Sequence, residues 1–170
     1  MLPDPLHPAL VHFPLALAGL IPLFVIGAIV AMRRGVAARR AWSLVVALMV
    51  LLAASSFLAV KTGEDEEEVV EEVVDEDAIH VHEERGEMFR NLTLLTLVLS
   101  VAGLATGKVG GFSRGAATGM SFILAGLAWG VGESGGDLVY EHGAANAYIE
   151  QSGTAMPEGD HDEGEEDEED

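Results

Sequence analysis

The stretch LVHFPLALAGLIPLFVIGAIVAM, residues 10 to 32, contains no Asp, Glu, Lys or Arg. As a helix it is long enough to cross a hydrocarbon core of ~30 Å, which takes about 20 apolar residues. Three further apolar runs follow, Ala41 to Val60, Met88 to Thr106 and Ala116 to Gly132; none holds Asp, Glu or Lys, and Arg90 is the single arginine, near a border. This pattern predicts an all-α, polytopic membrane protein, a four-transmembrane-helix bundle with spans at about 10–32, 41–61, 88–107 and 115–133. Composition agrees: 49% of the 170 residues are hydrophobic although the formal net charge is -19, and apolar residues at that density need somewhere dry to go.

The first run is not read as a signal peptide. No Lys or Arg precedes Met32, and prolines stand at positions 3, 5, 8, 14 and 22. With no cysteine, disulfides, thiolate ligands and covalently attached c-type haem are excluded.

Basic residues orient the bundle. Arg33, Arg34, Arg39 and Arg40 lie in the linker between the first two spans, and Lys108 and Arg114 in the linker between the last two, whereas the other side holds only Lys61, Arg85 and Arg90. By the positive-inside tendency the short linkers are cytoplasmic, and both termini lie outside the cell membrane. All 28 acidic residues fall on the predicted outer side. Arg outnumbers Lys, and dense carboxylates keep a surface hydrated in concentrated salt, so the composition suits a halophilic setting. The domain then spans 1–150, with an outer loop at 62–87 and an outer cap at 134–150, and 151–170 form a disordered acidic tail. Within the loop, Val69, Val70, Val73 and Val74 recur at helical spacing among glutamates, which predicts an acidic amphipathic outer helix between helices two and three, lying across the mouth of the bundle or standing in solvent. No EF-hand-like oxygen-ligand pattern accompanies it.

Histidines concentrate on the same side. His7 and His12 flank the start of helix one, His80 and His82 precede helix three, and His142 follows helix four; His161 sits in the tail and is discounted. In a compact four-helix bundle these three helix ends are neighbours.

At this point the chain resembles a family of small four-helix bacterial and archaeal membrane proteins of unknown function. The likeness rests on HPALVHFP near the N-terminus, Thr62 and Gly63 where helix two ends, HVHEE ahead of helix three and GESGGDLVYEHG after helix four, in the same order over roughly residues 6 to 147. The matching positions are His7, Pro8, His12, Pro14, Thr62, Gly63, His82, Gly135, Gly136, Tyr140, His142 and Gly143. The resemblance implies the fold and singles out these residues; it implies no activity. The chain departs from the family pattern in reading AANA after HG and in the acidity of the segment after Thr62 and Gly63.

Independently of the resemblance, Pro8 suits a first helical turn, His7 before it is biased toward an extended, mobile end, and Pro14 inside the helix leaves the carbonyl of Leu10 without its helical donor. Ionisable groups at membrane depth tend to face a bundle interior or cavity, and neutral imidazole is the commonest metal ligand. His12 and His82, closed over by His142 and with His7 nearby, supply candidate ligands for haem b through bis-histidine coordination. Alternatively His7, His12, His80, His82 and His142, with Glu64 or Glu133, supply a mononuclear copper or zinc site. The histidine spacings are less diagnostic than a HExxH motif, and a structural polar cluster remains the competing reading.

Glycines at 115, 119, 126 and 130 predict a groove for close helix approach on helix four, and Gly103 with Gly107 the same on helix three. Gly135 and Gly136 predict a break in helix four, after which Tyr140 sits at the interface. No phosphate loop, nucleophile–base pair or basic nucleic-acid patch is present, and the acidic exterior would repel nucleic acid. The expectation is therefore a lipid-embedded protein with an outer histidine site for haem b or a transition metal, serving electron transfer with a redox partner or as a homo-oligomer. The alternative is a scaffold, accessory subunit or transporter component whose histidines only tie helix ends together.

Overall fold

The computed structural model describes residues 5–151, so the expected disordered tail and His161 lie outside the described residues, apart from Gln151 at the end of the last helix. Every described element is a helix: α1 (His7–Leu10), α2 (His12–Arg33), α3 (Ala38–Val70), α4 (Glu76–Ala102), α5 (Gly107–Tyr140) and α6 (Ala145–Gln151). The four long helices pack in a closed ring, α2 on α3, α3 on α4, α4 on α5 and α5 back on α2. A core of Ile21, Val25, Trp42, Val45, Met49, Leu52, Phe89 and Leu124 fills the centre.

Three helical stretches are long and apolar enough to cross a membrane: His7–Arg33, which joins α1 and α2, then α3 and α5. In α4 the first half carries Glu76, Asp77, Glu83, Glu84, Arg85, Glu87 and Arg90, and the helix stops at Gly103, so its apolar part is short. Its buried positions there are Thr93, Thr96 and Ser100, while Leu94, Leu95, Val98 and Val101 face outward.

The short linkers meet at the basic end of the bundle. Trp42 is fully buried there and donates from Nε1 to the carbonyl of Ser100, and Arg114 donates to the carbonyl of Gly103. Gly103, the C-cap of α4, admits the close approach expected of it, since a Cβ there would stand 2.5 Å from Trp42 Nε1 and 3.1 Å from Arg114 Cγ; Gly107 has open space around it and instead shapes the turn into α5 at φ +72.

Two further expectations change at the opposite, acidic end. The acidic segment does not form a separate helix: α3 runs on through it to Val70, because glutamates are good helix formers and Gly63 alone does not stop a helix. Its valine stripe is nonetheless used, Val70, Val73 and Val74 packing with Ile79, Leu138 and Ala144 in a small second core. Nor do Gly135 and Gly136 break α5, which continues to Tyr140; the chain turns at Gly143, where φ is +72.

Candidate functional site

The acidic end gathers a histidine pair. His7 enters from α1 and His82 from α4, with ring centroids 6.1 Å apart and ring planes at 87°. Both are largely shielded by the helices around them.

Hydrogen bonds anchor Nδ1 of each ring and fix the tautomer of His7. His7 Nδ1 lies 2.9 Å from the carbonyl oxygen of Ala59 and 3.3 Å from Thr62 Oγ1. A carbonyl only accepts, so Nδ1 carries the proton and donates it. His82 Nδ1 lies 2.9 Å from Ser134 Oγ, a hydroxyl that also lies 3.1 Å from the carbonyl of Val131; when it donates to Val131, His82 Nδ1 is the donor. Neutral His7 keeps an unprotonated Nε2, and neither ring's Nε2 has a hydrogen-bond partner among the described residues. Burial, then the neighbouring His7 and then Arg85, lower the pKa of His82 to about 4, which keeps its ring neutral across the physiological range.

Glycines let the helices approach the rings. A Cβ at Gly63 would lie 3.1 Å from His7 Cε1, and one at Gly135 would lie 3.0 Å from His82 Cε1. Glu66 fixes the remaining geometry. Its Oε1 accepts the backbone N–H of Leu6 at 2.7 Å and of His7 at 2.9 Å, capping α1, and its Oε2 accepts the hydroxyl proton of Tyr148 at 3.0 Å. His7 is therefore held by three residues of α3, Ala59, Thr62 and Glu66.

The other candidates stand apart from this pair. His12 is exposed on α2, His80 is exposed with Glu84 4.0 Å away, and His142 is exposed beyond α5. Glu64 is exposed on α3, and Glu133 borders a groove of about 490 Å³ between α2 and α5, lined also by Leu15, Gly19, Ala128 and Trp129. Among the described residues no three His, Asp or Glu side chains converge as a metal site would require. Three residues that sequence reasoning passes over matter here: Ser134, Glu66 and Tyr148. Ser134 adjoins the glycine pair, which is its only local signal; nothing in an acidic run marks Glu66 as a cap.

This geometry falls on the residues that carried the family resemblance, His7, Thr62, Gly63, His82 and Gly135. The chain matches the family described as predicted membrane protein (DUF2231) over residues 3–148. It belongs to that family. No curated protein and no solved structure matches the chain. For this DUF2231 protein, all four motif segments therefore meet at one point: HPALVHFP supplies His7, TG supplies Gly63 and the threonine beside His7, HVHEE supplies His82, and GESGG supplies the serine and glycine that seat it. The motif residues His12 and His142 are exposed and take no part in the pair.

Proposed function

We propose that this chain is a four-span protein of the cell membrane, with both termini outside, that binds haem b between His7 and His82 and serves electron transfer. The inverted polarity of α4 supports its role as the fourth span. A helix that buries hydroxyls and turns Leu94, Val98 and Val101 outward suits lipid rather than water. The arginines clustered at the linker end support the orientation, and the carboxylate-rich outer side suits high salt.

The observation that carries the haem reading is the pair of neighbouring, largely buried imidazoles, each anchored at Nδ1 and each with Nε2 unpaired among the described residues. Ligating histidines characteristically donate their other ring N–H to an oxygen acceptor, which orients the ring and raises its basicity. Two imidazoles side by side with no third donor among the described residues suit a haem, which would need few protein ligands, better than a copper or zinc centre needing three or four. Haem b would supply a one-electron carrier. His7 and His82 would hold it, Ala59 and Ser134 would anchor them at Nδ1, and Gly63 and Gly135 keep side chains off the rings.

A second reading has its own observation. The same contacts tie α1, α3, α4 and α5 together, so the pair would also serve a scaffold or accessory subunit. The test is the visible spectrum of protein purified from haem-sufficient cells, oxidised and then dithionite-reduced, together with its metal content. A Soret band that shifts on reduction, is lost in His7→Ala and His82→Ala, and persists in His12→Ala and His142→Ala, supports haem. A colourless protein with copper or zinc lost in the same two variants replaces haem by a metal ion. Absence of both leaves the scaffold.

A further inference from the structure

Arg85 of α4 and Glu133 of α5 are opposite charges beside the outward face of α5, neither with a counter-ion among the described residues. Arg85 reaches across from α4 and donates from Nη1 to the carbonyl of Gly130 at 3.2 Å; no carboxylate of the described residues lies within ion-pair distance of it, in a chain with 28 acidic residues. Glu133, one turn further along α5, is exposed and equally without a counter-ion among the described residues. The two flank α5 on opposite sides: Arg85 comes from α4, and Glu133 borders the groove shared with α2.

Between these charges runs a bare helix surface. Gly115, Gly119, Gly126 and Gly130 lie opposite the buried face of α5, which is formed by Ala117, Ser121, Leu124 and Ala128. A Cβ at any of the four would meet nothing within 4 Å. Packing inside the monomer therefore does not require these glycines, although glycine is a poorer helix former than alanine. Large apolar side chains, Phe112, Phe122 and Trp129, flank the stripe and are exposed.

We propose that this face is the interface with a second copy of the chain. All copies share one orientation in the membrane, so a two-fold axis runs along the membrane normal. About such an axis each flank of α5 faces the opposite flank of its mate. Arg85 of one copy then meets Glu133 of the other, twice, while the glycines let the two α5 backbones approach closely. The charge arrangement selects a copy of this chain over a lipid tail, because a tail answers neither charge and an anionic headgroup answers only Arg85.

The test uses the full-length protein in bilayers at graded protein-to-lipid ratios, with oligomeric state read by single-molecule photobleaching and bound lipid by native mass spectrometry. The wild type should dimerise. Glu133→Arg and Gly126→Leu should each weaken dimerisation about ten-fold while leaving the helical spectrum intact. Arg85→Glu combined with Glu133→Arg should restore it. A wild type that stays monomeric throughout overturns the proposal, as does a dimer indifferent to Glu133→Arg and Gly126→Leu. Arg85→Glu that strips an anionic lipid without changing oligomeric state assigns Arg85 to lipid and overturns it likewise.

Discussion

Gly135 and Gly136 are neighbours in α5 with different surroundings, and alanine should separate them. At Gly136 a Cβ meets nothing within 4 Å. There the ordinary advantage of alanine in a helix applies, and Gly136→Ala should stabilise the protein by up to about 1 kcal/mol. At Gly135 the same Cβ would stand 3.0 Å from His82 Cε1 and 3.6 Å from its Nδ1. The ring cannot simply swing away, because Nδ1 is bonded to Ser134 and His7 packs beside it. Displacement forfeits a hydrogen bond worth about 1 kcal/mol and adds overpacking strain of about 1–3 kcal/mol. Set against the helical gain, Gly135→Ala should lose about 1–3 kcal/mol. Thermal unfolding of the two variants in one detergent, followed by circular dichroism, should place them roughly 5–15 °C apart on either side of wild type. A Gly135→Ala variant melting at or above wild type would show that His82 is not held where its contacts imply.

Two other outcomes follow from the same contacts. Because the folded pKa of His82 is lowered to about 4 from 6.5, the unfolded chain takes up this proton first as pH falls. In cofactor-free protein the contribution is full above about pH 6.5 and shrinks by roughly 3 kcal/mol on the way down to about pH 4. The acid titration of the many carboxylates is shared by His82→Gln, so the difference between wild type and variant isolates the histidine; parallel stability curves would contradict the burial effect. Glu66→Ala removes both amide caps of α1 and the acceptor for Tyr148, and should cost about 2 kcal/mol. Amide hydrogen exchange should rise first at Leu6 and His7, and uniform exchange throughout α2 and α3 would instead indicate global destabilisation.

What was legible beforehand follows from the range of each signal. The runs at 10–32 and 41–60 reveal their helices because uncharged apolar stretches of that length have few alternatives. The extent of α3 was hidden, since hydropathy reports where a helix meets lipid and not where it ends; Glu64 to Glu68 continue it in water-friendly residues. Of the histidines, sequence alone narrows the choice without making it. His7 and His12 stand five residues apart, about 140° around a helix, and His80 and His82 about 200° apart, so one of each pair can face inward. Which one does so depends on long-range contacts, Glu66 on the amide of His7 and Ser134 on the ring of His82, 59 and 52 residues away in sequence. Gly135 carried the opposite meaning from its usual one, a place for a ring to rest instead of a stop signal.

Two opposing effects act on the histidine pair, and their balance explains its chemistry. The surrounding segment is dense in Glu and Asp, whose field would favour a protonated imidazole. Yet for His82 the leading influence is burial, followed by His7 and Arg85, all lowering its pKa, and no carboxylate counters them. Glu66 beside the pair is occupied by the two amides and Tyr148. Helix packing thus keeps His82 neutral at the acid-rich end of the bundle. An unprotonated ring nitrogen on His82 is consequently present down to about pH 4, at an end of the bundle where charge alone would favour imidazolium.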